Sequence, residues 1–81
     1  VTKRPERRLP KHSIVLAGHA TSISLEAEFW QALQDIAQRD AVAVAALVAT
    51  IDRERLKTTT NPPSLASAVR VYILKRIQQN R

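Results

Sequence analysis

One stretch near the N-terminus limits what this chain can fold into more than any other. From Ser13 to Leu25 the residues read as extended backbone. Ile14, Val15 and Leu16 form a short apolar run closed by Ala17 and Gly18, and beyond it Thr21, Ile23 and Leu25 alternate with Ala20, Ser22 and Ser24. Alternation at period two marks a strand with one buried face and one open face. Such a strand exposes a whole row of backbone donors and acceptors, so it needs a partner. Gly18-His19 suits a type II′ hairpin turn, with Gly at the first central position. The same dipeptide serves equally as a bend between two pieces of one irregular strand. The Ile14–Leu16 run wants burial on both sides. It either widens the ribbon beside the alternating strand or covers the helices.

After Leu25 the period changes to that of a helix. Ser24 is a candidate N-cap, and Glu26 and Glu28 bring negative charge to the first turn, where the helix dipole favours it. Local capping is the expected role of Glu26. Phe29, Trp30, Leu33, Ile36 and Ala37 fall on one stripe, with Gln31, Gln34, Asp35 and Gln38 opposite. On such a stripe Phe29 and Trp30 read as core rather than as a base-stacking pair. A second helix is expected from about Val44 to Leu56, with Val44, Leu47, Val48 and Ile51 inward. The short link from Asp40 to Ala43 makes the two helices packing neighbours. A breaker cluster from Thr58 to Ser64 then opens a third helix, with Ser64 as its N-cap and Leu65, Val69, Tyr72, Ile73 and Ile77 at helical spacing.

Composition limits the function. A chain of 81 residues makes one small domain, and a domain this size often relies on a staple or a second subunit. There is no cysteine and there are only two histidines, so neither disulfides nor a metal site is expected. The apolar residues are mostly Ala, Val, Ile and Leu, which make a thin core that self-association would thicken. Net charge is +6, which favours a polyanionic partner. Much of that charge sits in residues 1–12, read as a flexible basic arm preceding a domain at 13–81. There Lys3, Arg4, Arg7, Arg8 and Lys11 face one acid, Glu6, and Pro5 and Pro10 interrupt regular structure. His12 reads as part of the arm. No apolar run is long enough to span a bilayer, so no membrane partner is expected and a cytoplasmic setting fits best. The single glycine excludes a phosphate-binding glycine loop, and no local signature joins a nucleophile to a base. The chain is not expected to be an enzyme or to carry a cofactor.

One strand and two amphipathic helices do not close a core by themselves. Antiparallel pairing with the same strand of a second copy would satisfy the backbone and fuse two half-cores. The expected dimer core comprises Thr21, Ile23, Leu25, Phe29, Trp30, Leu33, Leu47 and Ile51. A two-stranded ribbon of this kind fits the major groove, about 12 Å wide.

The stretch Gly18-His19-Ala20-Thr21-Ser22-Ile23-Ser24-Leu25-Glu26 resembles the strand-to-helix junction of short bacterial ribbon-helix-helix domains. Phe29-Trp30, Leu33, Ile36-Ala37, Ala46-Leu47-Val48, Ile51-Asp52 and Ser64 to Arg70 continue the resemblance. It implies a mostly α fold with a short N-terminal strand: an intertwined homodimer with an intersubunit antiparallel ribbon and an extra C-terminal helix. It also implies double-stranded DNA as partner, usually in transcriptional control and often repression, with the protein on the nucleoid when bound. Carried across, the base-reading positions match Ala20, Ser22 and Ser24, and the phosphate grip of the second helix's backbone N–H groups matches Ala43 and Val44. His19 reads either as a phosphate contact or as a partner for local backbone.

Two departures stand out. Ala41 replaces the usual glycine, and Ala43 replaces the usual capping Ser or Thr, worth about 0.5–2 kcal/mol. Serines make single rather than bidentate bonds to bases, so the basic arm is expected to supply much of the affinity by neutralising phosphates. The alternative is a dimeric protein-interaction or assembly module, including an antitoxin-like one, with little DNA readout. It rests on the small outward residues and the uncapped Ala43.

Overall fold

The extended N-terminal stretch folds back on itself. The structure is a computed structural model that describes residues 9–57 and 60–79. Strand β1, Lys11–Leu16, runs antiparallel to β2, His19–Ser24. Ile14 lies opposite Thr21, and His12 opposite Ile23. The N–H of Leu25 donates to the carbonyl of Pro10 at 3.1 Å and carries the pairing one step further. Three helices follow: α1, Ala27–Arg39; α2, Val44–Lys57; and α3, Leu65–Gln79. The chain is therefore mostly α, with the strands at its N-terminal end.

The turn sits one residue earlier than Gly18-His19. Its central residues are Ala17 and Gly18, with φ of 51° and 81°. Positive φ at both positions is the type I′ pattern, whose twist matches that of the flanking strands. Either turn would send the same side chains inward, so alternation could not choose between them. The apolar run is also not buried on both sides. Ile14 is buried and Leu16 half-buried, whereas Val15 is 62% exposed on the other face.

Ser24 is the last residue of β2 and does not cap α1. The N-cap is Glu26, whose side chain makes no capping hydrogen bond. That carboxylate instead accepts from Arg70 of α3, with Nη2 at 2.9 Å and Nε at 3.0 Å. At the far end of α1, Ala41 has φ 58°. Its N–H donates to the Gln38 carbonyl at 3.1 Å, and that of Val42 to the Ala37 carbonyl at 2.9 Å. This is a Schellman closure with alanine in the left-handed position where glycine is usual. The predicted cap of α3 is present: Ser64 Oγ accepts from the Ser67 N–H at 3.1 Å.

The core takes Ile14 from β1, Ile23 from β2 and Leu25 from the junction. Leu33, Ile36 and Ala37 come from α1; Leu47, Val48 and Ile51 from α2; Val69 and Ile73 from α3. Of the residues expected in a dimer core, Ile23, Leu25, Leu33, Leu47 and Ile51 are buried within the single chain, and Thr21, Phe29 and Trp30 are half-buried. Within the one chain this core draws on a second strand, β1, and a third helix, α3, beyond the strand and two helices of the sequence argument. β1 pairs one edge of β2 and packs on α2, while α3 packs on both other helices and on β2. The ribbon in this structure is intramolecular.

Candidate nucleic-acid interface

The hairpin has two faces of opposite character. Inward lie His12, Ile14 and Leu16 of β1 with Thr21 and Ile23 of β2; outward lie Lys11, Ser13 and Val15 with Ala20, Ser22 and Ser24. Cross-strand neighbours on the outer face are Lys11 with Ser24, Ser13 with Ser22, and Val15 with Ala20. Such neighbours stand about 5 Å apart and form one continuous surface. It contains no acid. Among the described residues, the side chains of Lys11, Ser13, Ser22 and Ser24 make no hydrogen bond or ion pair. Their donors and acceptors are free for a ligand. His19, beside the turn, pairs with Leu16 and so lies on the face opposite to Ala20; it is exposed and makes no side-chain hydrogen bond among the described residues.

Ala43 and Val44 lie on a separate element, at the start of α2. Ala43 is exposed and its carbonyl accepts from the Leu47 N–H at 3.0 Å, so α2 starts with its first-turn N–H groups directed outward. No acid occupies that first turn, which leaves the positive end of the helix uncompensated. Lys3, Arg4, Arg7 and Arg8 lie outside the described residues. Lys11 does not belong to an irregular arm: it opens β1, as does His12 after it.

His12 has a structural role that sequence reading missed. Its ring stacks on Trp30 at 3.9 Å between centroids, 6° from parallel, and so ties β1 to α1. Ser13 and Val15 were missed as surface residues for a simple reason. Lys11, Ser13 and Val15 alternate with His12, Ile14 and Leu16, but the Ile-Val-Leu run hides that period.

Two guanidinium pairs anchor α3 and hold the sheet's support in place. Glu26 is held below its ordinary carboxyl pKa, first by its own backbone N–H and then by Arg70. Asp40 is lowered chiefly by Arg76, which donates from Nη1 at 2.8 Å and from Nη2 at 3.0 Å. Arg76 is raised further by Asp40 first and Tyr72 second, its Nη1 also donating to the Tyr72 hydroxyl at 2.8 Å. Among the described residues, Lys11, Arg39, Arg53 and Lys75 have no ion pair. No helix in this range is long and apolar enough to cross a membrane, and no His, Asp and Glu cluster could hold a metal ion.

Comparison with known proteins agrees with this geometry. Residues 9–77 match the model of the ribbon-helix-helix domain. No curated protein matches the chain. A similar solved structure is that of an uncharacterized protein from Bordetella pertussis Tohama I. It is 32% identical with a TM-score of 0.72 over 89% of this chain, which spans 58% of the length of that one. With the family match running from the residue before Pro10 almost to the end of α3, the chain belongs to the ribbon-helix-helix domain family, in general a family of DNA-binding regulators.

Proposed function

We propose that this chain binds double-stranded DNA as a homodimer and acts as a transcriptional regulator in the cytoplasm, with its hairpin sheet on the major groove. The observation that carries this reading is the outer hairpin face. It is acid-free and small-residued, with Lys11 and three serine hydroxyls unengaged among the described residues. Ala20, Ser22 and Ser24 are the base-facing set. The backbone N–H groups at Ala43 and Val44, with His19 and the cations Lys3, Arg4, Arg7 and Arg8, serve phosphates.

The edges of the sheet support a dimer. Each strand of the hairpin has one unpaired edge among the described residues. That of β1 carries Lys11 and follows Pro10, two devices that discourage further pairing. That of β2 carries neither proline nor a formal charge from His19 to Ser24. A second copy therefore adds at β2, giving the strand order β1-β2-β2′-β1′. The ribbon expected between subunits becomes the centre of a wider sheet.

Titration of a mixed-sequence duplex of about 30 base pairs at two salt concentrations tests the proposal. Micromolar or tighter binding is expected, weakening with a log–log slope of about −0.9 per phosphate contacted. Removing residues 1–8 should flatten that slope. A folded protein that fails to bind duplex at low salt would overturn the proposal. That outcome would favour a protein-interaction module, for which the exposed Val71, Leu74 and Ile77 of α3 offer an apolar contact.

A further inference from the structure

We infer that β1 is a rim strand: Lys11 and Ser13 hold the phosphates beside the groove, and direct base readout is left to β2. This rests on the DNA-binding reading above and adds a division of labour between the two strands.

The first argument is one of width. Neighbouring strands lie about 4.8 Å apart, so a four-stranded sheet sets its two outer strands about 14 Å apart. The major groove is about 12 Å wide. The central pair, β2 and β2′, fits inside, whereas both β1 strands meet the groove walls, where the phosphates run.

The second argument is chemical. Lys11 is the one formally charged side chain on the outer face, and a lysine ammonium is a compact point charge suited to a phosphate. Its charge is not neutralised from within, because the carboxylate at the nearby strand-to-helix junction, Glu26, is engaged by Arg70. Its backbone is also held in register. Lys11 pairs with Ser24, and the preceding Pro10 carbonyl accepts from Leu25 at 3.1 Å. A cation on a paired strand meets a phosphate at a set place along the duplex, which a cation on a free arm does not. Ser13, the next outward residue, presents an exposed hydroxyl along the same line. Val15 lies toward the turn, about 13 Å along the strand from Lys11, and is outside that line.

The test uses the full chain and two probes: the mixed-sequence duplex, and a randomised duplex pool from which bound sequences are recovered. For Lys11→Ala the salt slope should fall by about 0.9 per subunit, while the sequences recovered from the pool stay those of the unsubstituted protein. Lys11→Arg should restore the slope. Ser13→Ala should weaken binding roughly threefold to tenfold per subunit on every duplex without changing the slope. Ser22→Ala should instead change the recovered sequences. Circular dichroism melts check that each variant is folded. A changed sequence preference in Lys11→Ala, or an unchanged slope, overturns the inference while DNA binding stands. Absence of binding by the unsubstituted protein overturns both.

Discussion

Ala17 and Ala41 both occupy the left-handed region, with φ of 51° and 58°. For an L-residue other than glycine this conformation costs roughly 1–2 kcal/mol, because Cβ crowds the following carbonyl. Ala17 is held there by the strand pairing on either side of the turn. Ala41 is held by the two Schellman hydrogen bonds and by the need to turn the chain from α1 into α2. The missing glycine at 41, visible in the sequence as a departure from the family pattern, is thus strain accepted by the fold rather than a different fold. Ala41→Gly relieves about 1–2 kcal/mol of strain and loses about 0.4–1 kcal/mol to the freer unfolded chain, so it should stabilise the protein by a net of roughly 0.5–1 kcal/mol. For a domain of this size, that corresponds to a melting-point rise of roughly 2–8 °C. A lower melting temperature would show that position 41 is not strained.

At the scale of elements, the hairpin is fastened to α1 largely through one ring on another. His12 stacks on Trp30, and its Nε2 is buried with no hydrogen-bond partner among the described residues. Stacking of this kind contributes about 0.5–1.5 kcal/mol, while an unpartnered buried nitrogen costs about 1–3 kcal/mol. The two effects oppose each other and can be separated. His12→Ala loses the stack along with the orphaned nitrogen, so it should be less stable than His12→Phe by about 0.5–1.5 kcal/mol, and it should shift the emission of Trp30, the chain's single tryptophan. His12→Phe keeps the ring, removes the orphaned nitrogen, and should be at least as stable as the original. If Phe destabilises as much as Ala, the nitrogen is doing something that a ring alone cannot replace.

Over the whole molecule, α3 makes a one-chain core possible, and its two guanidinium pairs link it to both ends of α1. Arg70 reaches Glu26 at the start and Arg76 reaches Asp40 at the finish. Both carboxyls titrate lower in the fold than their ordinary values of 4.5 and 3.8. The unfolded chain therefore binds protons more readily, and the stability these groups contribute is complete above about pH 5. It is lost as pH falls through their ordinary values toward the lower folded ones. Urea midpoints measured from pH 7 down to pH 3 should fall in that window. The double variant Glu26→Gln with Asp40→Asn should flatten the fall; an identical pH profile would remove these pairs from the account. Both pairs are partly exposed, so the effect should be modest and weaken with salt.

Periodicity and end signals determined the three helices, the Ser64 cap and the outward set Ala20, Ser22 and Ser24, because spacing and capping act within a few residues. Pairing is different. Which strand lies across from β2, where the hairpin turns, and which surface buries Leu25 or Val69 depend on contacts between segments far apart in the chain. The candidate site was legible to the same extent. Its β2 half followed from alternation, but Lys11 read as part of a flexible arm until β1 was seen to pair. Glu26 likewise read as a local cap, because nothing near it in sequence announces Arg70. Local backbone preferences set the elements, whereas which surfaces meet in the core was decided only by where β1 and α3 pack.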